Sequence, residues 1–265
     1  MKTLLTLLLF LKASAVLALA DEPPLCPQPL NVGSYGCCYF RQPDGGIDVE
    51  MLTALMERAN CGVRVFNMPR ARVWYEINSG RIDMTSMGIE TPARAEYAWF
   101  LPYLTTKYLA TRREGTKGSW NPEDILHNDT IVIGMVRSFK HGSVVDALID
   151  NVRRRNPDRI VEVPDELALF RLLKAGRVQL VFAERHLFDY AVAALNIDDA
   201  VQTDIAPEEG AVSRCLVLSK ARFSQEEMLK WKRLLDGMVR DGTIRTILSR
   251  YLPSRDVPDM LARAR

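Results

Sequence analysis

The sequence predicts an α/β fold with two lobes, for two reasons. Short apolar segments typical of strands alternate with amphipathic helical segments, which is the pattern of parallel sheets flanked by helices. This alternation runs from Leu30 to Ser86 and restarts at Thr130. The stretches that interrupt it, Thr111–Gly118 and Asp204–Gly210, are charged or contain glycine. Two separate runs therefore indicate two lobes.

The first run contains three predicted strands and two predicted helices. Gly45 and Gly46 form a turn before the first helix, and Gly80 ends the second helix as a C-cap. In chain order, strand or helix periodicity predicts the strand Leu30–Ser34, the helix Ile47–Ala59, the strand Val63–Phe66, the helix Ala71–Asn78 and the strand Ile82–Ser86.

The second run repeats this alternation and is followed by a C-terminal helical segment. Gly176 closes one of its helices, as Gly80 does in the first run. The predicted strands are Thr130–Gly134, Ile160–Val163, Val178–Ala183 and Cys215–Ser219, and the predicted helices are Ser143–Arg154, Glu166–Ala175, His186–Leu195, Ser224–Arg240 and Thr243–Tyr251.

The first 20 residues have the features of a secretory signal peptide. Lys2 precedes an apolar stretch, and Ala18-Leu19-Ala20 fits a small-x-small cleavage site. The apolar stretch is too short to span a bilayer, and Lys12 interrupts it. We therefore expect cleavage after Ala20, an extended proline-rich arm at residues 21–29 and a mature protein in the periplasm.

The predicted mature chain carries no net charge. The full chain has 35 Lys and Arg residues against 33 Asp and Glu residues, and Lys2 and Lys12 lie in the predicted signal peptide. This balance argues against non-specific binding of nucleic acid, which needs a basic surface. Glu184 and His186 would share one face of a strand, but no third ligand is spaced to join them. We therefore expect no metal and no cofactor.

The five cysteines are too few for a disulfide scaffold in a chain of this length. An exported protein can still form one or two bridges, and an odd count leaves one thiol unpaired. Two pairings remain open, Cys26 with Cys61 and Cys37 with its neighbour Cys38, and Cys215 is the fifth cysteine.

Five motifs in order resemble the periplasmic solute-binding proteins of polar amino-acid ABC importers. They are GIDVEML (46–52), SGRIDM (79–84), ETPARAEYAWFLPY (90–103), IVIGMVRSF (131–139) and AGRVQLVFAE (175–184). The resemblance spans nearly the whole mature chain. It implies a two-lobed clamshell, with a mixed, mostly parallel sheet flanked by helices in each lobe, a two-strand hinge and the ligand in the cleft. We expect lobe one at residues 30–110 plus 211–265, and lobe two at 111–210.

The resemblance also implies the ligand contacts of lobe one. In this family the arginine of a Thr-x-x-Arg motif pairs with the ligand carboxylate, and here Thr91 and Arg94 hold these positions. A planar guanidinium offers two parallel donors to a carboxylate. The family places an aromatic residue after its first strand, where this chain has Tyr35. Tyr103 and Trp74 are further aromatic candidates for the cleft wall.

Other expected contact positions depart from the family pattern. Ile89 stands where a serine or threonine is usual, and Ser138-Phe139 replaces a Gly-Thr pair of lobe two. Glu184 replaces the aspartate that takes the ligand ammonium. Arg72, with Arg70 at the start of the same helix, adds a cation that needs an acidic partner on the protein or on the ligand.

These features predict a monomeric, non-enzymatic binding protein that delivers a small carboxylate-bearing metabolite to an ABC permease in the inner membrane. Two alternatives remain open. One is an exported cyclohexadienyl or arogenate dehydratase, in which Glu184 with a raised pKa would act as the general acid. The other is a sensory subunit that presents its ligand to a separate receptor.

Overall fold

The computed structural model describes residues 24, 26, 28–36, 38–42 and 45–261. The predicted signal peptide, its cleavage site and most of the predicted 21–29 arm lie outside these residues, as does Cys37. Cys26 and Cys61 form a disulfide, Cys38 is also disulfide-bonded, and Cys215 is a buried free thiol. None of the helices in the described ranges combines the length and the apolar character needed to cross a membrane.

Strands and helices alternate along the chain, as the periodicity predicts. In order they are β1 (Leu30–Ser34), α1 (Ile47–Ala59), β2 (Val63–Asn67), α2 (Arg70–Asn78), β3 (Met84–Gly88), α3 (Pro92–Ala95), β4 (Ala98–Thr106), β5 (Leu109–Arg113), α4 (Pro122–His127), β6 (Ile133–Val136), α5 (Ser143–Arg155), β7 (Ile160–Val163), α6 (Glu166–Lys174), β8 (Leu180–Ala183), α7 (Arg185–Leu195), β9 (Ala200–Thr203), β10 (Val212–Ser219), α8 (Gln225–Arg240), α9 (Thr243–Tyr251) and α10 (Val257–Leu261). A single 3₁₀ turn at Pro157–Arg159 precedes β7.

The strands form two five-stranded sheets with the same topology. The first has the order β2-β1-β3-β10-β4 and the second the order β7-β6-β8-β5-β9. In each sheet three neighbouring strands pair in parallel, and one strand runs in the opposite direction to all the others. This strand is β10 in the first sheet, between β3 and β4, and β5 in the second, between β8 and β9. Helices flank each sheet and bury their apolar faces against it, so the fold is the predicted two-lobed mixed α/β clamshell.

The chain passes between the lobes through two segments. It leaves the first sheet after Thr106 and enters the second at Leu109, where β5 pairs with β8. It returns between Thr203 and Val212, and β10 then pairs with β3 and β4. Residues 109 and 110 therefore belong to the second sheet, although the expected boundary assigned them to lobe one.

Strands β4, β5 and β9 were not among the predicted elements. In β4, Pro102 lies in the middle of the strand and weakens the strand pattern, because proline cannot donate a backbone hydrogen bond. The structure accommodates it because β4 is an edge strand, and the pairing register of β10 shifts opposite Pro102, between Arg214 and Cys215. Proline is tolerated at such edge and bulge positions.

Each lobe has its own apolar core, and the two cores meet at the cleft. Trp231, Leu235 and Ile244 of α8 and α9 pack into the core of lobe one, so these helices belong to that lobe. Cys38 and Ile89, from lobe one, pack against the core of lobe two. The lobes are therefore in contact, and the clamshell is closed.

Candidate functional site

A small cavity lies between the lobes and has a volume of about 40 Å³. The lobes therefore leave only a small space between them. Lobe one lines it with Tyr35, Gly36, Cys38, Phe40, Asp48, Arg70, Met87 and Arg214, and lobe two with Phe139, Glu166, Glu184, His186 and Leu187.

Arg70 lies between the two lobes and lines the cavity. It is the first residue of α2, and only 9% of its surface is exposed. Its guanidinium carbon lies 4.0 Å from the ring centroid of Tyr35 and 4.2 Å from that of Phe139. Its Nη2 donates to Glu166 Oε1 of lobe two at 2.7 Å. Aromatic rings from both lobes thus enclose this cation, and a carboxylate pairs with it.

Arg214 and Glu184 form a second ion pair across the cleft. Arg214 extends from β10 and Glu184 precedes α7, and both side chains are buried. Tyr108, in the segment between the lobes, donates to the same Glu184 Oε1 at 2.7 Å. Burial, the largest single influence, would raise the pKa of Glu184, but Arg214, His186 and Tyr108 together outweigh it and lower the pKa to about 2. The pKa of Arg214 rises despite its burial, because Glu184 is close.

The pKa of Asp48 is shifted in the opposite direction from that of Glu184. It lies in the first turn of α1 and is 5% exposed. Burial raises the pKa of its carboxyl to about 7, although a hydrogen bond with Ser86 and the charges of Arg214 and Arg70 act against the rise. Within the described part of the chain, Asp48 Oδ1 and Arg70 Nε are buried without a hydrogen-bond partner. The cavity therefore contains an unused acceptor and an unused donor.

Arg94 lies at the edge of the cleft and joins the lobes through backbone carbonyls. Its guanidinium carbon stacks 3.8 Å above the ring centroid of Trp74. Its Nη1 donates to Ile89 O at 2.9 Å, and its Nη2 donates to Ser138 O of lobe two at 2.7 Å. Thr91 caps α3, since its Oγ1 accepts from Arg94 N at 3.3 Å. Burial lowers the pKa of Arg94, and no carboxylate among the described residues forms an ion pair with it.

The structure brings together eight of the ten predicted ligand-binding residues. Tyr35, Phe139 and Glu184 line the cavity. The other five are Arg94 itself and the four residues that contact it, which are Trp74, Ile89, Thr91 and Ser138.

Tyr103 and Arg72 lie elsewhere. Tyr103 points into the core of lobe one with no exposed surface, and its hydroxyl accepts from Met87 N at 3.3 Å. Arg72 is mostly exposed and pairs with Glu76, one turn along α2, at 2.5 Å. Helix geometry explains the contrast with Arg70, because residues two apart on a helix point in different directions.

Three charged residues of the cavity were not singled out from the sequence, namely Asp48, Arg214 and Glu166. Asp48 lies inside the GIDVEML motif, but nothing local marked it as buried. Arg214 directly precedes the predicted strand Cys215–Ser219, and a cation in such an apolar run was a usable signal. Glu166 is the first residue of α6, where an acid is common for helix stability alone, so its role in the cleft gave no sequence signal.

The site does not have the features of an acid catalyst centred on Glu184. The dehydratase alternative requires a carboxyl that is protonated near neutral pH. Arg214 and Tyr108 instead hold Glu184 in its ionised form. No group of three or more potential metal ligands occurs within the part of the chain that the structure describes.

Known structures share the fold. ArtJ from Geobacillus stearothermophilus, an arginine-, lysine-, histidine-binding protein, matches with a TM-score of 0.70 and 17% identity over 86% of this chain and 98% of its own. A substrate-binding protein of an amino acid ABC transporter matches with a TM-score of 0.67 and 10% identity over 84% and 98%. A histidine kinase sensor domain with similarity to periplasmic binding proteins matches with a TM-score of 0.69 and 18% identity over 85% and 96%.

At these identities the structural matches show the fold alone. No curated protein sequence matches this chain. The family model of the bacterial extracellular solute-binding proteins, family 3, matches residues 38–254, which include most of both lobes. The chain therefore belongs to the family 3 bacterial extracellular solute-binding proteins.

Proposed function

We propose that this protein is the substrate-binding component of an ABC importer in the periplasm. Its ligand is a small carboxylate-bearing metabolite, an amino acid or a relative of one, which binds between the lobes. The protein works as a monomer that docks on a permease of the inner membrane. Membership of the family supports a binding role, and one structural neighbour is described as the substrate-binding protein of an amino acid ABC transporter.

The environment of Arg94 is the observation that best supports a carboxylate-bearing ligand. It is a half-buried cation at the start of a helical turn, its plane is fixed by Trp74, and its two donors meet only carbonyl oxygens. A carboxylate that replaced these two carbonyls would form two parallel charge-assisted hydrogen bonds, which are stronger than neutral ones. Ile89 O belongs to lobe one and Ser138 O to lobe two, so a carboxylate that replaced them would bind where the lobes meet.

Acceptors inside the cavity fit the other end of an amino acid. Asp48 Oδ1 has no partner among the described residues, and Glu184 is ionised. Either can accept hydrogen bonds from an ammonium group. The lobes must open to admit such a ligand, and closure around it is a shift in population driven by contacts that exist only in the closed form.

A binding screen with one variant tests this proposal. The mature protein is unfolded and refolded to remove carried-over ligand, and its thermal stability is measured with amino acids, di- and tricarboxylates and opines. We expect saturable stabilisation by a carboxylate-bearing compound. Replacement of Arg94 by alanine should weaken that binding by about 2–5 kcal/mol, or roughly 30-fold to several thousand-fold.

Arg137→Ala is the matched control, because Arg137 is an exposed arginine of lobe two that pairs with Glu162. It should bind the compound as the wild type does. Equal affinity of Arg94→Ala and wild type would overturn the assignment of Arg94. Prephenate and arogenate belong in the same panel, since their conversion to product would support the dehydratase alternative instead.

A sensory subunit is the second candidate, and the ion pairs across the cleft favour it. Arg70 with Glu166 and Arg214 with Glu184 hold the lobes together through the protein's own side chains. One structural neighbour is a histidine kinase sensor domain. Deletion of the gene separates the two roles. Loss of uptake of the labelled ligand supports the importer, whereas normal uptake with a lost response to the ligand supports the sensor.

A further inference from the structure

Arg70 is held in the manner of a bound cation. Its guanidinium lies between the rings of Tyr35 and Phe139, with centroid distances of 4.0 and 4.2 Å, and Glu166 Oε1 accepts from it at 2.7 Å. One ring comes from lobe one, whereas the other ring and the carboxylate come from lobe two. Tyr35, Phe139 and Glu166 together are called the cation cage below. Two aromatic faces and one carboxylate form a chemically suitable site for a planar cation.

Other residues hold each wall of the cage in place, so the orientation of each ring does not depend on Arg70, although bringing the walls together requires closed lobes. The hydroxyl of Tyr35 donates to Ser86 O at 3.1 Å. Phe139 packs against the rings of Tyr108 and His141, with centroids 5.6 and 4.8 Å away.

The backbone also presents Phe139 towards the cleft. Ser138 has φ of 61°, which lies in the left-handed region that non-glycine residues rarely adopt, and Phe139 N donates to Val136 O at 3.0 Å. On the other side of the guanidinium, Glu166 is held at the start of α6, where the side chain of Asp165 caps the helix.

Arg70 does not stabilise α2, the helix in which it lies. Arg70 is the first residue of α2, and no acidic residue lies in the first turn of that helix. A cation at a helix N-terminus is unfavourable because of the helix dipole. The contacts that offset this cost come from the cage, and two of the three cage residues belong to the opposite lobe. The side chain therefore links the lobes more than it stabilises α2.

We propose that Arg70 is a tethered ligand of the cleft, which closes the lobes by filling the cation cage, and that the emptied cage binds a free alkylguanidinium. The inference goes beyond the proposed function, because it concerns closure by the protein's own cation and does not depend on the carboxylate site at Arg94 or on a permease. A ligand that uses the cage must first displace Arg70, and this competition lowers its apparent affinity.

Chemical rescue tests the inference directly. In Arg70→Ala the alanine keeps Cβ, and ethylguanidinium supplies the atoms that were removed. The radius of gyration from small-angle X-ray scattering reports lobe closure, and a thermal-shift titration reports binding. We expect Arg70→Ala to be more open than wild type. Ethylguanidinium should close the lobes of Arg70→Ala saturably, and it should bind this variant at least tenfold more tightly than it binds the wild type. Ethylammonium should have a weaker effect on both readouts.

Arg72→Ala is the matched control, because it removes an arginine of the same helix that pairs with Glu76 outside the cavity. It should stay closed and should not respond to ethylguanidinium. If Arg70→Ala does not fold, Glu166→Gln takes its place, and it should open the lobes while all ring contacts remain available. A compact Arg70→Ala protein without a saturable response to ethylguanidinium overturns the inference. A compact Glu166→Gln protein does the same where that variant is used.

Discussion

Replacement of Asp48 by asparagine should remove a pH dependence from the stability of this protein. The side chain is 5% exposed, and burial raises its pKa to about 7 from the ordinary value of 3.8. The unfolded state exposes this carboxyl to water, where it ionises near pH 4. Between these two values the folded state binds more protons than the unfolded state. Stability therefore falls as the pH rises through this window.

The size of the effect follows from the two pKa values. A raised carboxyl pKa has no effect on stability below about pH 4, where both states are protonated, and its full destabilising effect appears above about pH 7. The shift is roughly three units, and each unit corresponds to about 1.36 kcal/mol, so Asp48 should lower the free energy of unfolding by up to about 4 kcal/mol. An asparagine side chain at this position does not titrate and would have no such dependence.

Other buried groups titrate near this window, which is why the comparison between two variants matters. Arg214 and Arg70 favour the ionised form of Asp48, whereas Glu166 opposes it. Burial lowers the pKa of His141 and of His186, so these histidines stabilise the fold as the pH rises towards 6.5. Their contributions are shared by wild type and variant and cancel in the difference.

The ionisation of Glu184 falls outside the window. Its pKa is lowered to about 2 from the ordinary value of 4.5, so the stability that it contributes is complete above pH 4.5 and is lost only as the pH falls towards 2. The range from pH 4.5 to about 8 therefore isolates Asp48 from this ion pair.

Urea unfolding at half-unit steps from pH 4.5 to about pH 8 measures the difference. We expect Asp48→Asn to gain stability relative to wild type as the pH rises, with most of the gain between about pH 5 and 7 and a plateau above. Asp236→Asn is the control, because Asp236 is a partly exposed aspartate of α8 that pairs with Lys232. Parallel pH profiles for wild type and Asp48→Asn would refute the reasoning.

Two further predictions concern packing at the cleft and in lobe one. Arg214→Met should lower stability by about 3–5 kcal/mol in urea unfolding, because it leaves Glu184 buried without its partner, and adding Glu184→Leu should recover most of the loss. Gly88→Ala should cost about 1–3 kcal/mol, since its Cβ would lie 2.2 Å from Val217 Cγ2. Gly237→Ala in α8, where a Cβ would meet no atom within 4 Å apart from the adjacent backbone of its own helix, should be neutral or stabilising. The reverse order of the two alanine variants would contradict the packing argument.

Local periodicity was enough to predict the helices and strands whose ends are marked by the local sequence. Leu30–Ser34, Ile47–Ala59, Ile160–Val163 and Thr243–Tyr251 match the structure residue for residue. Turn glycines or an abrupt change in apolar pattern mark their ends. Strand β4 was missed, because whether Pro102 is tolerated depends on which strands lie on either side, and that is set by the whole sheet.

In the cleft, too, local sequence patterns did not predict contacts between residues that are distant along the chain. Motifs located Arg94 and Tyr35, because each lies close to a recognisable local pattern. The partners of Arg70 were not predictable in this way. Glu166 lies 96 residues further along the chain, in the other lobe, and its sequence context is that of an ordinary helix start. Only the closed arrangement of two lobes makes these residues neighbours.

The two arginines at the cleft should respond oppositely to the same ligand if both proposals hold. Arg94 meets only carbonyl oxygens, so a carboxylate gains by replacing them, and removal of Arg94 weakens the binding of any such ligand. Arg70 already occupies its cage, so a ligand with a guanidinium must compete with it. Removal of Arg70 therefore strengthens the binding of a ligand that carries both groups, and the pair of variants separates a carboxylate site from a cation site within one cleft.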